Sequence, residues 1–160
     1  MKMIRNERGL LYEDFEIGQV FEHHWGRTFN ASDASTFGNM FMQMNPIFFN
    51  RPYAEALGYK DILIPPMFVF ATVLGLSVED LSEAGGPFLG VDEVSFGAPV
   101  YAGDTVYSRS TVLSQRRTES RPGWGITEWH TIGTNQRGDE VVNFKRRNLS
   151  KCRTEEGMKA

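Results

Sequence analysis

A chain of 160 residues with 41% hydrophobic and 23% charged side chains is long enough to bury a sizeable core, fits one globular domain and excludes a disordered chain. Its net charge of -3 and pI near 5.6 exclude a strongly basic nucleic-acid binder, and no apolar run has the roughly 20 residues a spanning helix needs. Cys152 stands alone and cannot close an internal disulfide, and the N-terminus has no signal-peptide core, so a cytoplasmic, reduced protein is expected.

The charge is unevenly spread. Residues 1–108 hold 6 Lys/Arg against 14 Asp/Glu, and residues 109–153 hold 10 against 4, which predicts a basic surface on an otherwise acidic protein. A small polyanion such as coenzyme A suits such a surface better than nucleic acid, although solvated strand faces explain any single arginine.

After a polar N-terminal tail, Tyr12 to Gly18 leads into a strand predicted from Gln19 to Phe29. Adjacent His23 and His24 must then point to opposite faces, so at most one faces inward. Asn30 can cap a helix whose third position is Asp33, with Ala34, Phe37 and Phe41 recurring at helical spacing, so Asp33 has a structural explanation. The turn Asn45-Pro46 follows. Asn50 can cap a short helix from Arg51 to Leu57 that Gly58 ends in a left-handed conformation.

Pro65 and Pro66 mark the start of the next helix, since the first turn tolerates a residue without an N–H. From Met67 to Leu76 it is apolar on every side apart from Thr72 and Gly75, so the rest of the domain is expected to enclose it as a buried rod running to about Leu81. Beyond Gly85-Gly86-Pro87 the period changes to two. Phe88–Val100, Asp104–Thr118, Gly123–Thr134 and Asp139–Leu149 read as strands with turn signals between them, which predicts an antiparallel meander. The expected class is α+β, a curled antiparallel sheet of at least five strands wrapped around one long central helix, core residues about 12–149. The uncovered face or edge of such a sheet predicts a dimer.

The opening YEDFEIGQVF and the turn QMNPIFFNRPYA resemble the MaoC-like family of (R)-specific enoyl-CoA hydratases and dehydratases, which has the hot-dog fold. Asn45, Pro46, Ile47 and Ala54 fit the family's hydratase motif, Gly-Asp-x-Asn-Pro-Leu-His-x-Asp-x-x-x-Ala, and Asn50 replaces its second Asp. HHWGRTF, GLSVEDLSEAGGPFLGVDEV and SRPGWGITEWHTIGTNQRG resemble a subgroup linked to mesaconyl-CoA and itaconyl-CoA hydration. The resemblance implies water addition to, or removal from, a short, branched or dicarboxylic acyl-CoA thioester, with no cofactor beyond the CoA of the substrate.

The chain departs from that pattern where the chemistry lies. The motif's first Asp and its His, which activate water in the family, are Gln43 and Phe48 here, and neither accepts a proton at neutral pH. The glycine whose N–H faces the thioester carbonyl is Pro66, leaving Met67 and the positive end of the helix dipole beside it. If the chain is a hydratase by itself, the titrating candidates are His23, His24, Asp33, Asp61 and His130, with Gln43, Asn45 and Asn50 orienting water. Arg27 can bind a second carboxylate, although each of these residues also has a structural reading as a buried histidine, a cap or a surface ion-pair partner. The alternatives are a non-catalytic subunit of a heteromeric hydratase, paired with another MaoC-like chain, and a hot-dog thioesterase or acyl-CoA binder. In all three the CoA phosphates are expected near Arg116, Arg117, Lys145, Arg146 or Arg147, with Arg146 facing opposite to Lys145 and Arg147. No metal-binding spacing or phosphate loop is present.

Overall fold

Burial alternates residue by residue along the strands of the second half, the signature of a sheet with one face against a core. In the computed structural model, which describes residues 8–153, the chain runs β1 (Val20–Glu22), β2 (Arg27–Thr28), α1 (Ala31–Phe41), α2 (Arg51–Ala56), α3 (Pro66–Leu76), α4 (Val78–Ser82), β3 (Phe88–Phe96), β4 (Thr105–Arg117), β5 (Trp124–Asn135) and β6 (Glu140–Lys151). The tail residues 1–7 and 154–160 lie outside the described part. The strands form a single antiparallel sheet in the order β1-β4-β5-β6-β3, with β2 also on β4. Val69 and Val73 of α3 pack on Phe29, Val106, Val142 and Phe144 to make the main core. Each such fully buried side chain contributes about 1.5–3 kcal/mol. A Cβ on Gly133 of β5 would lie 2.6 Å from Val73, so the missing side chain is what admits the helix this close to the sheet.

Four expectations are corrected. The strand Gln19–Phe29 is two short strands, broken over residues 23–26. A Cβ on Gly26 would come within 2.5 Å of the Tyr107 ring, so the chain bends there around an aromatic neighbour. The meander holds for β4, β5 and β6, but β3 pairs with β6, from Phe88 opposite Asn148 to Phe96 opposite Val142. The link after β3 cannot fold back as a hairpin, because Val100 accepts a hydrogen bond from Ile64 N and Tyr101 bridges to Leu63, which draws the chain beneath α3 towards β4.

The long rod is two helices. Ser77 is fully buried, and its N–H and hydroxyl both donate to the Leu74 carbonyl, at 3.1 and 2.7 Å, so α3 closes on a tightened last turn and a separate short helix, α4, begins at Val78. The rod is also not enclosed on every side. Val69, Thr72 and Val73 are buried, while Met67, Ala71, Gly75 and Val78 form an exposed stripe, with Met67 46% accessible. The edge strand β3 also exposes apolar side chains, Phe88, Leu89, Val94 and Phe96.

Candidate functional site

The turn carrying the hydratase-like motif is built by local caps. α1 opens with Asn30 N–H donating to the Asp33 carboxylate at 2.7 Å and closes at Met42, whose φ of 55° is left-handed. Asn45 Oδ1 then accepts from Ile47 N at 3.2 Å, and Asn50 Oδ1 from Tyr53 N at 3.2 Å, so both asparagines work as caps. Phe48 is only 8% exposed and packs on Ala54, Leu63 and Tyr101, a core position. Gln43 faces a cavity of about 150 Å³ shared with Ser35, Asn39 and Met44. The turn from Gln43 to Asn50 is held by these two caps and has no side chain that accepts a proton at neutral pH.

At the start of α3, Pro66 has no N–H, and the Phe68 and Val69 N–H groups both donate to the Pro65 carbonyl. The Met67 N–H at the second position is the donor left at the positive end of the helix. A cavity of about 190 Å³ lies beside it, between Pro66 and Val69 on one side and Phe96 and Val100 on the other. A larger groove of about 380 Å³ runs along the same helix over Phe68, Ala71, Thr72 and Gly75, and Trp25, Arg27 and Glu79 form its rim.

The proposed acid–base groups are not assembled around these openings. His23 is sealed inside, its Nδ1 2.6 Å from Asp80 Oδ2 and its Nε2 2.9 Å from Ser110 Oγ, which in turn lies 2.8 Å from Thr131 Oγ1. Burial lowers its pKa and outweighs the opposing pull of Asp80. Asp80, His23 and Ser110 have the residue types of a nucleophilic triad, but Ser110 is fully buried and no substrate reaches it. His24 points the other way, exposed and 3.6 Å from Glu79, so the two histidines do face apart. Asp33 is taken by the Asn30 N–H and by Arg27, 3.1 Å away, and does not meet His23. Arg27 also lies over the Phe29 and Phe68 rings. Asp61 is paired with Arg51 at 2.8 Å, and His130 stands opposite Lys145 on the sheet. Asp80, Ser110, Glu79 and Trp25 were not anticipated; the one signal for them is that Ser77, Glu79 and Asp80 interrupt an otherwise apolar helix.

Among the cations, Arg146 is corrected. It is 1% exposed, donates to Ser77 Oγ and Ser82 Oγ at 3.0 and 3.2 Å and lies over the Trp129 ring, and burial pushes its pKa down to about 10. It cannot reach a phosphate on the surface. Lys145 and Arg147 do face the opposite side, where they pair with Glu93 and Asp92 across β3. Arg117 pairs with Glu13, and Arg116 has no ion pair among the described residues. Alternation puts Arg116, Lys145 and Arg147 on the sheet face turned away from α3.

Against known proteins, the family model for mesaconyl-CoA hydratase matches residues 2–158. The mesaconyl-CoA hydratase of Haloarcula hispanica is 33% identical over 144 residues, 89% of this chain and 40% of that protein. A MaoC domain protein dehydratase from Chloroflexus aurantiacus superposes with a TM-score of 0.87 at 27% identity, over 96% of this chain and 44% of its own. Rv0216 of Mycobacterium tuberculosis, described as having a double hot-dog fold, superposes with a TM-score of 0.80 at 20% identity, over 92% of this chain and 46% of its own. The chain therefore spans about 40% of the length of the curated relative it matches. The curled sheet, the helix laid on it and the motif turn at its start agree with that match: this chain is a hot-dog domain and belongs to the mesaconyl-CoA hydratase family.

Proposed function

We propose that this chain is one hot-dog half of an acyl-CoA hydratase/dehydratase acting on a short, branched or dicarboxylic enoyl-CoA thioester, and that a second MaoC-like domain supplies the acid and base. The observation that carries this reading is the turn from Gln43 to Asn50, where two asparagine caps keep the backbone of the motif while Phe48 puts packing where a histidine would carry protons. A general base is worth roughly 10² to 10⁴ in rate. A hydratase domain that lacks the proton carrier needs one from elsewhere. The greater length of its relatives leaves room for such a domain. The surface to receive it is the exposed stripe Met67, Ala71, Gly75 and Val78 with the apolar edge strand β3, covered by that different MaoC-like domain, since a second copy of this chain would lack the same acid and base.

In this reading the thioester carbonyl lies at the Met67 N–H, where the helix dipole stabilises the enolate, and the acyl group follows the groove over Ala71 and Gly75. Arg27 at the rim meets a second carboxylate in competition with Asp33. Arg116 is the phosphate ligand with no ion pair to give up among the described residues, while Arg117, Lys145 and Arg147 must first leave Glu13, Glu93 and Asp92. The reaction uses no cofactor beyond the CoA of its substrate and takes place in the cytoplasm.

The test is incubation with mesaconyl-CoA and crotonyl-CoA, following the gain of one water by mass, for the pure chain and for the chain with any MaoC-like protein that co-purifies. Hydration only in the mixture is the expected result. Full activity of the pure chain, lost when His23, His24 or Asp33 is replaced, would favour a self-sufficient hydratase, and release of free CoA thiol without hydration would favour a thioesterase.

A further inference from the structure

α4 has five residues, far fewer than the roughly 12–15 an isolated helix needs to persist, so it is held by what it touches. Its contacts are polar as well as apolar. Leu81 is buried beside Phe15 and Trp129, Ser82 accepts from Arg146, and Asp80 meets His23. One residue away, Glu79 accepts from Trp25 Nε1 at 3.2 Å and lies 3.6 Å from His24 Nε2. Trp25 and Glu79 are also rim residues of the groove, at the end where α3 gives way to α4.

We infer that His23 and Asp80 are positioning residues for this groove: their hydrogen-bond chain ties α4 to the sheet, and α4 thereby holds Glu79 against Trp25 as the groove's end wall. The inference uses the proposed function only in taking the groove as the acyl site; the clasp itself stands without it. With the ring neutral and its proton on Nδ1, every donor meets an acceptor. Nδ1–H donates to Asp80, Nε2 accepts from the Ser110 hydroxyl, and Ser110 Oγ accepts from Thr131.

A second proton on the ring reverses that order, because Nε2 then donates to Ser110 Oγ and the Ser110 and Thr131 hydroxyls must turn round, and it places a charge in a closed site. The charged groups facing the ring are Asp80 from α4, Glu22 on its own strand and Arg146 from β6, with neutral Ser110 from β4. Asp80 and Glu22 favour the added charge, Arg146 and above all burial oppose it, and the balance lies below the ordinary imidazole value. The stability that the neutral ring lends the clasp is therefore whole above about pH 6.5 and is lost as pH falls through the lower value of the folded ring.

The experiment follows three signals from about pH 5 to 8: nitrogen-15 NMR of the histidine rings, the emission of Trp25 assigned by its loss in Trp25→Phe, and binding of butyryl-CoA, with any partner that co-purifies. The expected result is a His23 ring protonated at Nδ1 and one midpoint, below that of an exposed imidazole, shared by His23 and Trp25. Butyryl-CoA affinity falls about tenfold across the same midpoint, a loss of about 1.4 kcal/mol. In Asp80→Asn the acceptor remains but the carboxylate charge is gone, so the shared midpoint moves further down. A Trp25 signal that stays flat while His23 titrates, or a midpoint that Asp80→Asn leaves in place, overturns the inference. Shared His23 and Trp25 midpoints with no butyryl-CoA binding at any pH support the clasp and overturn the functional reading.

Discussion

Phe48 packs against Ala54, Leu63 and Tyr101 in the place where the family's motif has a histidine. Truncating a buried aromatic costs about 3–5 kcal/mol, so Phe48→Ala is expected to lower stability by that much, read from the urea midpoint at constant slope. Phe48→His loses the same packing and buries an imidazole among apolar neighbours. The pair Gln43→Asp with Phe48→His is therefore expected to destabilise the fold before it restores chemistry. Asp104 is a second residue with a single explanation, since Gln136, Arg137 and the Tyr101 N–H all donate to it. Burial works to raise its pKa, but these bonds outweigh burial and hold it below the usual carboxylate range. The stability it provides is therefore present above that range and lost as pH falls through the lower folded value, and Asp104→Asn should flatten the acid limb of a pH–stability curve. The caps at Asp33 and Asn50 were legible in the sequence because each spans three residues, whereas Asn45 was read only as part of a turn. The Asp80 partner of His23 was not, because it lies 57 positions away and only the folded sheet brings it near.

The break at Ser77 shows what an apolar pattern leaves open. A rod without a polar face signals a helix that is covered, but the pattern does not say whether its own sheet or a second chain covers it, and here the sheet takes only the side of Val69 and Val73. Ser77 was a visible interruption; its role depends on Arg146, which reaches it from β6. Ser77→Ala leaves a buried guanidinium with one donor fewer satisfied and is expected to cost about 1–3 kcal/mol in chemical denaturation. Gly75 points the other way. A Cβ there meets nothing within 4 Å, so Gly75→Ala is expected to stabilise α3 by about 0.8–1 kcal/mol, read as a raised Tm. The pairing of β3 with β6 was likewise hidden, because turn residues at Ala102-Gly103-Asp104 look alike in a hairpin and in a crossover.

At the scale of the molecule, the uneven charge of the sequence is largely cancelled by folding. Glu13 meets Arg117, Asp14 meets Arg153, Glu22 meets Arg109, Asp92 and Glu93 meet Arg147 and Lys145, and Asp104 meets Arg137. The acidic first part and the basic last part are thus each other's counterions rather than a basic surface. What folding leaves unbalanced is apolar: the stripe of α3 and the exposed aromatics of β3. A charge placed on that stripe has to be desolvated by any domain that covers it, whereas in the isolated fold it stays in water. Ala71→Glu is therefore expected to leave thermal unfolding of the separated chain within about 0.5 kcal/mol of the parent, the usual range for a surface substitution. The same change should abolish association in sedimentation velocity and with it any hydration that depends on a partner. A variant that sediments with the parent would mean that the stripe is not the covered face.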